Sequence, residues 1–350
     1  MTLCAAWIRG QNVFLVADSA VTKDAPITSI RSHFGELHEN RSDRSVEESA
    51  LKIFRQGHTA VGFAGNGDLA LEIFKTYVAL SSWYNAREAF ERAWYSNTPF
   101  KDRFCRALLA FHDGNNPRLI QFGVDTIIEP ADGCAVIGAV NEAESSLVKR
   151  TLLTLSSDYE PNDVLGLCIV SLQRYSIFDN FMHRGIGGHY AGLSIGADGL
   201  VWMSPLMHVI FDGAGFRSSE PGIPAVIVVF PSNDMILVKN NIEDGWVVFV
   251  NSSGENFAVS ENEWIQKARR LAERHSMGQL PYRQIAIYDT KSQMTTVLLI
   301  DGLIPSPEVY PKFDTTNGTS RFVISFSESL LKVLERDFDG GSIAIHDCRE

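Results

Sequence analysis

Thr2 is the first residue of this sequence whose type and position could do chemistry. Because it is small and follows the initiator methionine, we expect Met1 to be removed, which leaves a threonine with both a hydroxyl and a free α-amine. An unperturbed α-amine titrates near pH ~7.7–8.0, so it can accept the proton of its own hydroxyl near neutral pH. Nucleophile and base then belong to one residue. A Met-Thr start is common, so the surrounding residues decide whether the hypothesis holds.

Three residues further along the chain become site candidates through the family resemblance described below. Asp18 ends the second predicted strand, Lys52 begins a later strand and Gly65 ends the strand after it. A buried lysine beside a nucleophile requires a carboxylate partner, and a glycine lets a substrate backbone approach closely. Taken singly, each has a plainer explanation. Asp18 could cap a turn, and Lys52 could be an exposed strand residue. Gly65 could be a glycine at the turn that enters a helix.

A rival motif overlaps the glycine. The stretch from Gly65 to Ala70 reads GNGDLA, which matches the GxGxxA pattern between a strand and a helix. A dinucleotide-binding unit would then need another strand ending in an acidic residue roughly 20 residues further on. Residues 80–95 read as helix instead, so the pattern does not favour nucleotide binding.

The elements that must position these residues follow from periodicity and turn signals. A hairpin is predicted over residues 2–17, a second over 52–64, and helices over 65–80, 86–95 and 100–112. Strands at 119–124 and 134–137, helices at 142–155 and 161–178, and two strands around 196–199 follow. This order is typical of antiparallel sheets with helices packed outside them, and not of strict β–α alternation.

The pattern of predicted strands and helices changes beyond about residue 213, and Pro221 and Pro224 interrupt the chain there. Strands are predicted at 225–230, 235–238, 246–250, 285–288, 296–300, 322–324 and 342–345, with helices at 260–274 and 327–338. We therefore expect two domains, residues 1–212 and residues 213–350. The second is an α/β domain or extension whose role the sequence does not reveal.

Composition excludes several classes of function. The 350 residues carry a net charge of −11, which argues against nonspecific nucleic-acid binding. No apolar run reaches the ~18 residues of a membrane span. The five cysteines are scattered and form no CxxC, so neither a disulfide framework nor a zinc site is expected. Metals and cofactors are not expected, and cytoplasm is the predicted location.

The stretches TLCAAWIRGQNVFLVADS and LKIFRQGHTAVGFAGNGD together resemble the β-type proteasome subunits and the bacterial proteasome-like proteases that work with an unfolding ATPase. The matched features are a threonine at the start of the first strand, a second strand ending Ala17-Asp18-Ser19, a later strand with lysine, and a strand ending GFAG before a helix. The resemblance covers about residues 2–210. It implies an α+β fold of the N-terminal-nucleophile hydrolase type, a four-layer αββα sandwich.

The resemblance implies a role for each matched residue. Thr2 is the nucleophile and its α-amine the proton acceptor. Lys52 favours deprotonation of the hydroxyl, and Asp18 pairs with Lys52. The Gly65 N–H points into the oxyanion hole, where negative charge develops on the attacked carbonyl.

Departures from the family pattern occur at secondary positions. The family's serine after Ile137-Gly138 is replaced by Ala139, and the later Asp and Ser before the double glycine fall at His183 and Ile186. Ser19, Ala139 and His183 are therefore secondary site candidates.

The function expected is a threonine-type amide hydrolase, most simply a peptidase. By resemblance it would form a homo-oligomeric ring, act on peptide or protein substrates and could work with an ATPase partner. Two alternatives stay open. One is a non-catalytic scaffold or binding protein that kept the sandwich, and the other is a hydrolase of a small amide.

Overall fold

The computed structural model describes residues 2–23, 45–48, 51–97, 104–155, 159–179, 186–211, 225–232, 235–240, 246–250, 260–276, 283–290, 292–300, 309–316, 319–326 and 343–347. Within these ranges the protein is a mixed α/β structure with several sheets and five helices. The helices are α1 Gly67–Leu80, α2 Ala86–Asn97, α3 Glu142–Thr154, α4 Pro161–Asp179 and α5 Glu261–Ser276. None of them is long and apolar enough to cross a membrane.

The first sheet has five antiparallel strands and carries Thr2 just before its central region. Its members are β1 Leu3–Arg9, β2 Asn12–Asp18, β10 Cys134–Gly138, β11 Tyr190–Gly196 and β12 Gly199–Trp202, in the order β10-β1-β2-β11-β12. A positive φ at Gly10 makes the tight turn between β1 and β2. Because β1 and β2 lie between other strands, nearly all of their side chains are buried.

The second sheet packs against the first. Its strands are β5 Ile53–Gln56, β6 Thr59–Gly65, β7 Cys105–His112, β8 Pro117–Phe122 and β9 Ile127–Ile128, paired antiparallel in chain order. Alternate residues of β7 separate its two faces. Leu108 and Ala110 join the core shared with the first sheet, whereas Leu109 and Phe111 join a core with α1 and α2.

The third sheet has seven strands, which are β13 Leu206–Phe211, β14 Ala225–Pro231, β15 Met235–Asn240, β16 Trp246–Val250, β17 Gln284–Asp289, β18 Met294–Leu299 and β21 Ile343–Asp347. Their order is β16-β15-β14-β13-β17-β18-β21, with β13–β17 and β18–β21 parallel. α4 contacts both β11 of the first sheet and β17 of the third, while α5 packs on the other face of the third sheet. Two further ribbons pair β3 Ala20–Lys23 with β4 Ser45–Glu48 and β19 Val309–Thr316 with β20 Thr319–Phe326.

Most predicted elements occur close to their expected bounds, including the helices over 65–80, 86–95, 142–155, 161–178 and 260–274. One prediction is wrong: residues 105–112 of the helix expected over 100–112 form strand β7. The run CRALLAFH is buried on both faces, and periodicity alone does not separate a fully buried strand from a short buried helix. β3, β4, β9, β13 and β19 were not predicted; β3 and β4 overlap the two ends of a stretch, residues 22–48, that the sequence predicts as a long loop. The helix predicted over 327–338 lies outside the described residues.

Candidate active site

Thr2 lies at the entrance to β1 and is almost entirely buried, with 4% of its surface exposed. Its carbonyl oxygen accepts a hydrogen bond from the Ala139 N–H at 2.8 Å. Gly138, just before Ala139, has φ +127°, and a Cβ there would overlap that same Thr2 oxygen. Only glycine therefore lets β10 approach closely enough to fix the start of β1.

Asp18, the last residue of β2, is the hub of the polar contacts beside Thr2. Its carboxylate is fully buried. Oδ1 accepts the Leu3 N–H at 3.2 Å and the Lys52 ammonium at 2.5 Å, while Oδ2 accepts the Gly187 N–H at 2.8 Å. One side chain thus ties together the residue after Thr2, the lysine before β5 and the double glycine before β11.

Lys52 reaches Asp18 from the second sheet. Its backbone carbonyl accepts the Phe63 N–H of β6 at 3.1 Å, which holds the residue at the edge of that sheet, and its side chain is 10% exposed. Burial lowers the pKa of the Lys52 amine, and the charge and hydrogen bond of Asp18 oppose this effect. Burial likewise raises the pKa of the Asp18 carboxyl, against the stabilising effect of Lys52 and the two backbone N–H groups. The ammonium therefore gives up its proton more readily than an ordinary lysine.

Gly65 ends β6 at the site end of the second sheet. Its φ is +113°, and a Cβ there would overlap the Phe104 carbonyl oxygen. The next residue, Asn66, donates its N–H to that oxygen at 2.8 Å and caps α1 by accepting the Leu69 N–H at 2.9 Å. The strand-to-helix turn therefore requires glycine for its backbone geometry, whatever its N–H does in catalysis.

The secondary candidates have different surroundings. Ser19 is buried, and its hydroxyl accepts the His189 N–H at 3.0 Å, so it holds the chain segment that also supplies Gly187. Ala139 lies directly beside Thr2, but its methyl group offers no proton donor or acceptor. Ile186 is fully buried and apolar. His183 lies outside the described residues.

Two neighbours of the site were not singled out from the sequence. Gly187 was noted as part of a double glycine, but its bond to Asp18 spans 169 residues and no local pattern encodes it. Cys4 shares the face of β1 with Thr2, because residues two apart on a strand point the same way. A Cβ at Gly62 would overlap the Cys4 sulfur. Burial raises the pKa of the Cys4 thiol far above its usual range, so this thiol is not a competing nucleophile.

In the described part of the chain, no group of three or more histidine, cysteine, aspartate or glutamate residues could hold a metal ion. The polar side chains described at this site are the Thr2 hydroxyl, the Lys52 amine and the Asp18 carboxylate. Such a set can withdraw a proton from the hydroxyl and stabilise the resulting negative charge.

Neither the protein-family models nor the curated proteins give a match to this sequence. Similar solved structures include eukaryotic HslV from Trypanosoma brucei, at 16% identity and a TM-score of 0.40, covering 56% of this chain and 99% of that one. They also include the Gly-1 mutant of Anbu from Hyphomicrobium sp. strain MC1, at 15% identity and a TM-score of 0.41, covering 58% of this chain and 85% of that one. These neighbours have proteasome-like folds.

Proposed function

We propose that this protein is a threonine-type amide hydrolase, in its simplest form a peptidase, that uses Thr2 after removal of Met1. One observation carries the proposal: the fully buried Asp18 carboxylate binds both the Lys52 ammonium and the backbone N–H of the residue after Thr2. A charged pair buried in this way is costly unless its groups are well paired. The pair lies at the start of β1, beside Thr2, so a role in catalysis would explain why the protein keeps this costly ion pair.

The reaction would proceed through an ester on Thr2. The Thr2 hydroxyl oxygen attacks the amide carbon while the α-amine takes the hydroxyl proton, with Lys52 stabilising the developing negative charge. The C–N bond then breaks, and the α-amine returns the proton to the leaving amine. Water activated by the same α-amine hydrolyses the ester and regenerates the hydroxyl. Gly65 would supply the oxyanion-hole N–H during both steps.

The proposal extends to the architecture. We infer that α1–α2, the second sheet, the first sheet and α3–α4 form an αββα sandwich over residues 1–212, because their cores follow one another in that order. The division after residue 212 stays a proposal. With that boundary, β13 belongs to the first domain but pairs with β14 and β17 of the second. A homo-oligomeric ring, an ATPase partner and a cytoplasmic location are parts of the same hypothesis.

A second candidate function is a non-catalytic scaffold, and two apolar residues favour it. Ala139 stands next to the Thr2 carbonyl where the resembling family has a hydroxyl, and the buried Ile186 is equally apolar. Both changes remove groups that would tune protonation of the α-amine. Hydrolysis of small amides, in place of peptides, is compatible with the same Thr2, Asp18 and Lys52 geometry.

The test is a substitution series at Thr2 assayed on fluorogenic peptide amides and on small amides. Thr2→Ala should abolish hydrolysis, whereas Thr2→Ser should keep a measurable fraction because it keeps the hydroxyl and the amine. Thr154→Ala makes the same chemical change at an exposed site on α3 and should leave the rate unchanged. Full activity of Thr2→Ala would refute the proposal. Inactivity of the wild type after verified loss of Met1 would favour the scaffold.

A further inference from the structure

Gln173 is a buried polar side chain of α4, with a relative exposure to solvent of 0%. Its Nε2 donates to the Gly188 carbonyl at 2.8 Å, and its Oε1 accepts the Tyr190 N–H at 3.3 Å. A buried amide is costly unless its donor and its acceptor are both paired. Here both are paired with the same short stretch of backbone, so Gln173 fastens residues 188–190 to the helix.

The segment held in this way contains two glycines in conformations that other residues rarely adopt, with φ +128° at Gly187 and +71° at Gly188. Because glycine loses more backbone freedom on folding than any other residue, such a segment needs contacts that fix its shape. Two of them come from the chain just after β2. The Ala20 N–H donates to the Gly187 carbonyl at 3.1 Å, and the Ser19 hydroxyl accepts the His189 N–H at 3.0 Å. The glutamine adds two contacts from the helix layer.

The shape of this segment decides where the Gly187 N–H points. That N–H donates to Oδ2 of Asp18 at 2.8 Å, whereas Oδ1 accepts the Lys52 ammonium and the Leu3 N–H. The terminal torsion of an aspartate is broad and roughly two-fold, so hydrogen bonds at both oxygens fix the orientation of the carboxylate. Loss of the Gly187 bond would therefore let the carboxylate turn and weaken its contact with Lys52.

Gln284 of β17 is a matched reference for a buried glutamine that binds backbone. Its relative exposure is 3%, and its Nε2 donates to the Asp163 carbonyl at 2.9 Å. This contact joins β17 to the first turn of α4, where the Asp163 carboxylate also binds Arg283. The two glutamine contacts share their chemistry, but one leads to the third sheet and the other to the Asp18 carboxylate.

We propose that Gln173 is a positioning residue for the reaction at Thr2. It holds the Gly187 N–H on Asp18 and thereby keeps the carboxylate turned toward Lys52. Its role is exerted through that carboxylate and not by contact with the substrate. This inference rests on the proposed hydrolase function and deepens it, because it adds α4 to the elements that set the charge state of the lysine.

Gln173→Met tests the proposal, because methionine has an unbranched side chain of similar length without the amide. We expect kcat per folded molecule on a peptide amide to fall about 10- to 100-fold, the cost of a small misplacement of a catalytic group. KM should stay within about twofold, because the substitution lies outside the groups that bind substrate. Gln284→Met makes the same change and should leave kcat within about twofold of the wild type. Unchanged kcat in Gln173→Met, or an equal loss in Gln284→Met, would overturn the inference.

The pH profile separates positioning from a general loss of packing. Burial lowers the pKa of the Lys52 amine, whereas the charge and hydrogen bond of Asp18 and, to a smaller extent, Cys4 raise it. A carboxylate that has turned away raises it less, so the pKa of Lys52 should fall further in Gln173→Met. Activity that needs the ammonium is then lost at a lower pH than in the wild type. Gln284→Met should leave this alkaline limb in place. A limb that moves equally in both variants, or in neither, would contradict the positioning role.

Gln173→Asn is a milder form of the same test. It keeps the amide on a stem one methylene group shorter, which cannot reach both backbone groups from the same helix position. We expect kcat to fall about three- to tenfold, the equivalent of one neutral hydrogen bond, with KM unchanged. Wild-type kcat in both Gln173 variants would rule out the role.

Hydrogen exchange of the Gly187 amide, followed by NMR on full-length protein with isotopically labelled glycine, tests the contact without any need for hydrolysis. The amide should exchange slowly in the wild type and in Gln284→Met, and at least about tenfold faster in Gln173→Met. Faster exchange together with an inactive wild type would refute the hydrolase and leave Gln173 as a structural clamp only. Hydrolysis by the wild type, with unchanged exchange and unchanged kcat in Gln173→Met, would keep the hydrolase and overturn the positioning role.

Discussion

Two buried aspartates, one in the first sheet and one at the junction with the third, show how similar ion pairs can serve different ends. Asp18 at the end of β2 binds Lys52 at 2.5 Å, and Asp163 in the first turn of α4 binds Arg283 at 2.7 Å. Both carboxylates are fully buried. Each residue also makes a further long-range contact: Asp18 accepts the Gly187 N–H at 2.8 Å, and the Asp163 backbone carbonyl accepts the Gln284 side-chain N–H at 2.9 Å.

The basic partners distinguish the two pairs. An arginine guanidinium stays protonated in proteins, whereas a buried lysine changes its pKa readily. Burial lowers the pKa of Lys52, whose side chain is 10% exposed, while the Arg283 side chain is 31% exposed beside solvent. The charge of the first pair therefore depends on pH more than that of the second, which fastens α4 to the third sheet. Burial of an ion pair alone does not mark an active site. What sets the first pair apart is that Asp18 also binds the backbone N–H of Leu3, the residue after Thr2.

The largest expected effect comes from Asp18→Asn. The substitution leaves the Lys52 ammonium without its carboxylate and weakens the contacts to Leu3 and Gly187. We expect kcat/KM on a peptide amide to fall about 10³-fold, within the range of general acid–base contributions. Unfolding in urea should show a loss of about 3–5 kcal/mol, the cost of breaking a buried pair. Activity within tenfold of the wild type would show that Asp18 has no catalytic importance.

Asp163→Asn makes the same chemical change in the second pair and should have the opposite profile. Removal of the charge that Arg283 binds should lower the free energy of unfolding by about 1–3 kcal/mol, since a buried group loses a charged hydrogen bond. The kcat/KM per folded molecule should stay within about twofold of the wild type. A drop in kcat/KM comparable to that of Asp18→Asn would erase the distinction between the two pairs.

The smallest expected effect is the dependence of the hydrolysis rate of the wild type on pH. The α-amine must be neutral to accept a proton, so activity should rise through pH ~7.7–8.0. Lys52 acts as an ammonium, so activity should fall again as pH rises through its folded-state pKa, which burial places below 10.5. The rate profile should therefore be bell-shaped, with its alkaline limb below pH 10.5. Asp163→Asn should leave both limbs in place. A profile flat to pH 10.5 or beyond would remove Lys52 from the reaction.

Local sequence pattern was sufficient to predict many helices and strands. It did not predict the pairing of segments that are far apart in the chain. The hairpin that carries Thr2 and Asp18 follows from alternation and a glycine turn, and the helices follow from their apolar periodicity. Strand β7 was predicted as helix because a strand buried on both faces has no alternation to show. The bond from Gly187 to Asp18 and the entry of β13 into the third sheet depend on contacts across the whole chain.

For the site itself, family resemblance pointed to Asp18 and Lys52, and the structure pairs them. Their catalytic roles stay a prediction. The resemblance also pointed to the position of Ala139, which lies against the Thr2 carbonyl.

The most direct test of the central claim is intact-mass spectrometry of the purified protein before and after treatment with a peptide epoxyketone, which reacts with an N-terminal threonine through its hydroxyl and its amine. We expect a mass lacking Met1, then one adduct per chain that maps to Thr2. The adduct should be absent from Thr2→Ala and sharply reduced in Asp18→Asn, and it should persist in Asp163→Asn. Retained Met1, or an adduct that persists in Thr2→Ala, would contradict the account.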